Sequence, residues 1–100
     1  MYFDHEKLDV YPLALSVARW AAGVGARRTV KDQLVRAAES VVLNIAEGAS
    51  LPAGDAKRNH FRIALGSAAE VAAAIDLIGD VSRIDDIRRV GAMLAGLSRR

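Results

Sequence analysis

The sequence predicts an all-α protein, an antiparallel up-down-up-down four-helix bundle that forms a single domain over residues 1–100. Three observations lead to this fold class. Four segments repeat apolar residues at steps of three and four, the period of an amphipathic helix, and no segment shows the alternation of a strand. Glycine-marked connections at 23–28, 48–54 and 79–83 separate these segments. Because connections this short join antiparallel neighbours, the helices are expected to run alternately up and down.

The first helix is predicted over residues 9–22. Asp9 is a residue type that favours the N-cap position, and Pro12 falls in the first turn, where its missing N–H costs little. One apolar stripe follows the helix and consists of Val10, Leu13, Val17, Trp20 and Val24. The stripe predicts a single core-facing side.

The second helix is predicted over residues 30–47. Thr29 and Asp32 have the spacing of a capping pair at its start, and Gly48 is a natural residue to follow its last turn. The residues predicted to face the core are Leu34, Ala38, Val41 and Ile45. Further apolar residues widen this stripe to about half of the circumference, at about 3.6 residues per turn.

The third helix is predicted over residues 56–78 with Asp55 as its cap, and the fourth over residues 84–97, where Ser82 and Asp85 repeat the capping spacing. The third helix is apolar on several sides, with Phe61 expected in the core. A helix of this kind is usually covered all round. A lone four-helix bundle would leave one of its sides in water, so the sequence predicts self-association.

Composition narrows the range of functions. The chain carries a formal charge of +2, has no cysteine and has two histidines. These counts leave few residues for a nucleophile with its base and give no His pair at metal-binding spacing on a helix. The protein is therefore predicted not to be an enzyme and to need no cofactor or metal. No apolar run approaches the roughly 20 residues of a membrane span, and a cytoplasmic location is expected.

Two polar residues near the predicted end of the second helix raise a question. Asn44 is a poor residue for a helix interior because its side chain competes for backbone hydrogen bonds. Glu47 places a negative charge at a C-terminus, against the helix dipole. Both are predicted to be structural. Asn44 is expected to bond across helices near Ser67.

Glu47 is expected to meet the positive start of the third helix, through its free N–H groups or through Lys57, Arg58 or Arg62. The third helix has a matching polar set. Gly66 in its interior costs about 1 kcal/mol relative to alanine, which predicts a close backbone approach there. The predicted structural motif comprises Asn44, Glu47, Gly48, Gly66, Ser67 and Glu70.

Two groups of cations are candidate nucleic-acid contacts. The first consists of Arg27, Arg28 and Lys31, and the second of Lys57, Arg58 and Arg62. The predicted topology places the two groups at opposite ends of the bundle. Charges on exposed turns often serve only to solvate a surface, and this interpretation stays open beside nucleic-acid binding.

The segments "DQLVRAAESVVLNIAEG" (32–48) and "FRIALGSAAE" (61–70) carry a family resemblance. The chain resembles the bacterial four-helix-bundle proteins known as 23S rRNA intervening-sequence proteins over nearly its whole length. It is more distantly similar to the accessory variability protein of diversity-generating retroelements. The resemblance implies a helical bundle and, through the second group, a homopentamer that engages a reverse transcriptase and nucleic acid.

The sequence therefore predicts a non-enzymatic, self-associating helical bundle that acts as a scaffold or binding protein and contacts RNA or DNA through its basic clusters. The alternative is an accessory subunit that binds only a protein partner, such as a reverse transcriptase, and has no nucleic-acid affinity. A basic face repeated around a ring favours the first function. A neutral face with an exposed apolar groove favours the second.

Overall fold

The computed structural model describes all residues from Met1 to Arg100, and it confirms the all-α four-helix bundle. The helices are α1 (Val10–Gly23), α2 (Arg28–Ser50), α3 (Asp55–Ile78) and α4 (Ile84–Leu97). A short 3₁₀ turn, Asp4–Lys7, precedes them. The second and third helices are the long ones, with 23 and 24 residues against 14 for each of the others.

Successive helices run antiparallel. Along α2 and α3, Ser40 meets Ser67 whereas the later Asn44 meets the earlier His60, so residue numbers rise on one helix as they fall on the other. Helices that follow one another in the chain pack together, and α4 also packs on α1. No Cα atoms of the diagonal pairs, α1 with α3 and α2 with α4, lie within 8 Å of each other. This arrangement is a square up-down-up-down bundle.

The core consists of alanines and medium-sized aliphatic side chains with one aromatic ring. Only 2% of the surface of Phe61 is exposed, as its position in the apolar stripe predicts. The largest fully buried side chains beside it are Leu34, Ile45, Ile75 and Leu94. Many of the remaining core positions are alanines, which let the helix backbones approach closely. The α2–α3 pair has the most extensive contact in the bundle.

The second helix continues past its predicted end. It was expected to stop at Glu47 with Gly48 as the following residue, but it runs on to Ser50. The helix ends where Leu51 becomes extended, with φ −91° and ψ 151°. Leu51 precedes Pro52, and proline disfavours the helical region for the residue before it. The proline, rather than the glycine, ends α2.

The side-chain caps predicted at the starts of α1, α2 and α4 do not form. Asp9 occupies the N-cap of α1 without a capping hydrogen bond, and the N-caps of α2 and α4 are Arg27 and Arg83. Thr29 therefore lies inside α2, and the backbone N–H of Ser82 bonds to the carboxylate of Asp80 in the preceding loop. The capping pairs fail because each helix starts one or two residues away from the position that the pattern indicates.

The third helix begins after Gly54 and ends at Gly79, and both glycines have positive φ. Gly79 adopts the left-handed conformation with φ 83°, and its N–H bonds to the carbonyl of Ile75. This is the glycine C-terminus that the sequence predicts for α3. Asp55, expected as the cap, is instead the first helical residue, and its carboxylate binds Arg58.

Candidate functional site between the second and third helices

Five polar side chains form a connected chain along the edge between α2 and α3. The hydroxyl oxygens of Ser40 and Ser67 lie 2.7 Å apart. Asn44 Nδ2 donates to the Ser40 carbonyl oxygen at 2.9 Å and to Ser40 Oγ at 3.2 Å. Asn44 Oδ1 lies 3.0 Å from His60 Nδ1, and Glu47 Oε2 lies 3.4 Å from the same nitrogen. We call these five residues the polar ladder.

Helical spacing explains why these side chains meet. Ser40, Asn44 and Glu47 follow one another at steps of four and three, so they share one face of α2. His60 and Ser67 are seven residues apart, two turns along one face of α3. Antiparallel packing then brings the two faces together in order.

The hydrogen-bond pattern determines which nitrogen of His60 carries a proton. The carbonyl oxygen of Ser40 can only accept, so the amide nitrogen of Asn44 must face it. Asn44 Oδ1 therefore faces His60 as an acceptor, and His60 Nδ1 is the donor. This tautomer leaves Nε2 without a partner within the chain. The histidine side chain is 26% exposed, so water can reach that nitrogen.

The polar ladder does not have the geometry of an activated nucleophile. A catalytic hydroxyl needs a base within hydrogen-bonding distance, in turn oriented by a third group. Here the two serine hydroxyls bond to each other, that of Ser40 also accepts from Asn44, and neither bonds to His60. The contacts instead join two helices at three heights. What the arrangement can do chemically is fix the register of α3 on α2.

The polar partners differ in part from the predicted ones. Asn44 bonds across helices, but its partner on α3 is His60, and Ser67 is reached through Ser40. Sequence spacing alone does not identify His60, because 16 residues and a turn whose geometry the sequence does not define separate it from Asn44. Its position in the first turns of α3 was the only available signal.

Glu47 does not contact the three cations or the N–H groups expected for it. It lies one turn before the end of α2 and contacts His60. Lys57 satisfies the end of α2 instead, since its Nζ donates to the carbonyl oxygens of Ala49 at 3.2 Å and Leu51 at 3.0 Å. A cation at these carbonyls offsets the negative end of the helix dipole. Lys57, rather than a group bound by Glu47, therefore meets the negative end of α2.

Neither of the two motif glycines has the role expected of it. Gly48 lies inside α2 and packs on α3, where an added Cβ would come within 3.0 Å of Phe61 Cε1 and 3.2 Å of His60 Cβ. Gly66 was expected to mark a close approach, but no atom beyond its own stretch of α3 backbone lies within 4 Å of its Cβ position. The close contact therefore occurs at Gly48, and the surface beside Gly66 is open.

The remaining motif residue, Glu70, is exposed on α3. It lines a shallow groove of about 350 Å³ together with Gln33 of α2 and Leu77 of α3. This groove continues the edge on which the polar ladder lies, toward the start of α2. Glu70 takes no part in the ladder.

The first cationic group lies at the start of α2. Arg27 and Arg28 are exposed, Lys31 is half-buried, and none of the three forms an ion pair. The acidic α3–α4 connection lies at the same end of the bundle. There a hydrogen bond from Ser82 holds the pKa of Asp80 below its ordinary value. Positive and negative surfaces therefore adjoin at this end.

The second cationic group lies at the opposite end, at the start of α3. Lys57 is used by the α2 carbonyls, and Arg58 pairs with Asp55 and donates to the Arg100 carbonyl oxygen at 3.2 Å. The Arg58 guanidinium lowers the pKa of Asp55 from its ordinary 3.8. Arg62 is exposed and free of such contacts. Two of these three candidates are thus committed to contacts within the chain.

Two exposed surfaces contain apolar side chains. The first lies between α1 and α2, a groove of about 330 Å³ that we call the α1–α2 groove; it is lined by Leu15, Ala18, Arg19, Ala22, Val35, Glu39, Val42 and Leu43. The second is an exposed stripe along α3 that we call the α3 ridge; it consists of Ile63, Gly66, Glu70, Ala73 and Leu77. Leu43, Ile63 and Leu77 are 61%, 44% and 77% exposed.

The structure contains no group of three or more His, Cys, Asp or Glu side chains placed to hold a metal ion. None of the four helices combines the length and the apolar character that crossing a bilayer requires.

Comparison with known proteins gives one match. A family model described as 23S rRNA-intervening sequence protein matches residues 6–96. No curated protein and no solved structure matches the chain. The match covers both motif segments and all four helices except the last residue of α4. The more distant similarity to the accessory variability protein of diversity-generating retroelements stays a prediction.

Proposed function

We propose, for a chain that belongs to the family of 23S rRNA-intervening sequence proteins, that it acts as a non-enzymatic, self-associating scaffold or binding protein. The observation that carries the proposal is the exposure of Leu43, Ile63 and Leu77 on a bundle whose interior is already filled. Large aliphatic side chains at these exposures favour a protein contact when they are grouped with other apolar atoms.

The grouping supports self-association more than scattered exposure would. Leu43 lies at the edge of the α1–α2 groove, where six of the eight lining residues are hydrophobic. Ile63 and Leu77 lie on the α3 ridge. The exposed apolar side chains therefore lie in one strip between α1 and α2 and in another along α3, which Glu70 interrupts. A closed homo-oligomer would bury both strips in every copy.

The first test is the mass of the protein in solution. Sedimentation velocity or light scattering at micromolar concentration should give a multiple of the 10.7 kDa chain. Five copies, the number implied by the family resemblance, would be one such multiple. A monomer mass across the concentration range would refute self-association.

Contact with nucleic acid is the second part of the proposal, and it rests on Arg27, Arg28 and Lys31. These cations have no acidic partner within the chain, so their charges are available to phosphate groups. One copy at +2 is a weak polyanion binder. Five copies would carry about +10, because a symmetric assembly repeats each cluster around its axis. The binding should be salt-dependent and should show little sequence preference.

Fluorescence anisotropy with structured RNA and duplex DNA at two salt concentrations tests this part. Arg27→Ala/Arg28→Ala should weaken binding to both probes and reduce its salt dependence. The matched control is Arg88→Ala/Arg89→Ala, which removes the same charge from α4. Equal loss in both double variants would mean that net charge alone attracts the probe. No binding by the parent at low salt would refute nucleic-acid contact.

The alternative function is an accessory subunit that binds a protein partner, such as a reverse transcriptase, without nucleic-acid affinity. The α1–α2 groove favours it, because this largely apolar groove on the outside of the bundle could receive a partner's side chain. A monomer that binds neither RNA nor DNA would support this function. Either function is compatible with the cytoplasm, the compartment proposed from the sequence.

A further inference from the structure

The α1–α2 groove holds two unpaired charges of opposite sign. Six of its eight lining residues are hydrophobic, and the other two are Arg19 and Glu39. Both are exposed, and neither forms an ion pair within the chain. Asp32 and Arg36, further exposed charges of α2, do not line the groove and are opposite in sign. The groove therefore has no net charge, and a matching surface needs an anion, a cation and apolar side chains.

The order of features along the groove follows from the antiparallel packing of α1 and α2. Residue numbers rise on one helix as they fall on the other, so Leu15 and Leu43 lie at one end. The smaller Ala22 and Val35 lie at the other end. The two charged residues are three or four residues from these end residues, about one turn of helix. They therefore lie beside each other at the middle of the groove.

A surface with this composition can match a second copy of itself. In a two-fold contact both copies contribute the same surface, and every contact between two different residues occurs twice. The groove contains a cation, an anion and apolar side chains, which are the groups that its partner surface needs. A second copy of this chain therefore supplies the complementary chemistry.

Charge selects between the two directions that a two-fold axis in this interface can take. An axis across the helices would place Arg19 opposite Arg19 of the second copy, and Glu39 opposite Glu39. Like charges across an interface oppose association. An axis parallel to the helices exchanges the positions of α1 and α2 and keeps every residue at its height. Arg19 of each copy then lies opposite Glu39 of the other, and the interface contains two ion pairs.

The parallel axis also matches the apolar residues. It places α1 of one copy on α2 of the other, and these two helices run antiparallel, as neighbouring helices do within the bundle. Leu15 then meets Leu43 of the second copy, and Ala22 meets Val35. The small side chains of Ala18 and Ala22 let the two helix backbones approach closely. Leu43, which is 61% exposed in the single chain, becomes covered.

We infer that the α1–α2 groove is a two-fold interface between copies of this chain, with Arg19 of each copy paired with Glu39 of the other. This inference rests on the proposed self-association and names a surface that produces it. Because the contact joins copies in pairs, an assembly in which every copy uses it contains an even number of chains. The α3 ridge stays outside this contact.

The mass in solution separates this inference from self-association in general. Sedimentation velocity should give twice the mass of the 10.7 kDa chain or a larger even multiple. An assembly of five copies would overturn the two-fold contact and leave self-association intact. A monomer across the micromolar range would refute both.

Charge exchange tests the ion pair. Arg19→Glu and Glu39→Arg each place like charges opposite one another at two points, and each should weaken self-association at least about tenfold. Mixing the two variants should restore most of it, because a mixed dimer has opposite charges at both points. The controls Arg89→Glu and Asp76→Arg make the same charge changes at exposed positions of α4 and α3. Equal weakening by the controls, or no restoration in the mixture, would overturn the pairing.

Disulfides test the direction of the axis, and the chain has no cysteine of its own. Under mild oxidation, a mixture of Leu15→Cys and Leu43→Cys chains should give a covalent dimer with one chain of each kind. Each chain carries a single thiol, so no disulfide can form within a chain, and each variant should keep the parent's helical circular dichroism. The control is a mixture of Leu15→Cys and Ala22→Cys chains, whose thiols meet if the axis runs across the helices. Crosslinking of the control pair, or of neither pair while light scattering shows an oligomer, would overturn the inference.

Discussion

Asn44 of α2 accepts a hydrogen bond of 3.0 Å from His60 of α3, while its amide nitrogen donates back to Ser40 within its own helix. Both polar atoms of one half-buried amide are therefore used. The side chain that is unfavourable in a helix interior becomes the link between two helices. This link lies at the centre of the polar ladder.

Replacing Asn44 should destabilise the fold more than its partial exposure suggests. Asn44→Leu removes the closer acceptor of the His60 Nδ1–H, leaves it only Glu47 Oε2 at 3.4 Å, and should reduce the free energy of unfolding by about 1–2 kcal/mol. The melting temperature should fall by about 4–8 °C per kcal/mol for a domain of this size. Asn59→Leu, at an exposed position one residue from His60, is the control and should change little. Equal melting of Asn44→Leu and the parent would remove the structural role.

Glu47→Gln should have a smaller effect than Asn44→Leu. The Glu47 side chain is 65% exposed, and its contact with His60 is 3.4 Å long. Exposed ion pairs contribute about 0–1 kcal/mol. Urea denaturation of both variants gives the comparison. A loss from Glu47→Gln as large as that from Asn44→Leu would contradict this ordering and indicate a partner outside the chain.

Gly48→Ala should destabilise the protein although alanine is the better helix former. The new Cβ would lie 3.0 Å from Phe61 Cε1, inside a buried contact that has little room to adjust. Overpacking of this kind costs about 1–3 kcal/mol, more than the roughly 1 kcal/mol gained in helix propensity. Gly96→Ala in α4 meets nothing within 4 Å and should be neutral or stabilising. The melting temperature of Gly48→Ala should therefore fall, whereas that of Gly96→Ala should rise or stay unchanged.

Lys57→Met tests the capping of α2 from α3. The substitution keeps the aliphatic stem but removes the donor to the carbonyl oxygens of Ala49 and Leu51. Loss of a charged donor should lower the free energy of unfolding by about 1–3 kcal/mol. Arg62→Met, an exposed cation on the same helix, is the matched control. Similar urea midpoints for both variants would mean that the carbonyls are satisfied equally well by water.

The Asp55–Arg58 pair should make stability depend on pH in the acidic range. The pKa of Asp55 is lower in the folded protein than its ordinary 3.8, because Arg58 favours the charged carboxylate. The pair therefore stabilises the fold above that ordinary pKa and loses its contribution as the pH falls through the lowered value. The urea midpoint of the parent should exceed that of Asp55→Asn at pH 7, and the gap should narrow on acidification. A difference in urea midpoint that widens toward acidic pH would contradict the expected direction of the pH dependence.

The fold could be predicted from the sequence because each helix has an apolar stripe with the right period. Phe61 lies in the core where that period places it. The end of α2 was misjudged because Gly48 has two possible roles, helix terminator and close-packing residue, and only the position of Phe61 decides between them. Pro52, rather than Gly48, is the residue that indicates the end of α2.

The candidate site was less predictable than the fold. Asn44 and Glu47 attract attention through their own unfavourable positions, whereas His60 fits its place in α3 and gives no such signal. Its contact depends on the geometry of the turn between the helices. The pairing of Lys57 with carbonyl oxygens could not be predicted either, because a pattern of side chains does not show which backbone acceptors are free.

The unequal helix lengths have a kinetic consequence. The α2–α3 hairpin contains 23 and 24 residues joined by a short turn, so its contacts close small loops and can form early. Contacts between α1 and α4 join opposite ends of the chain and carry the larger entropic cost. Substitutions that weaken the hairpin, such as Ile45→Val, should mainly slow folding, whereas Val17→Ala in α1 should mainly speed unfolding. The chain is expected to fold from its middle outward.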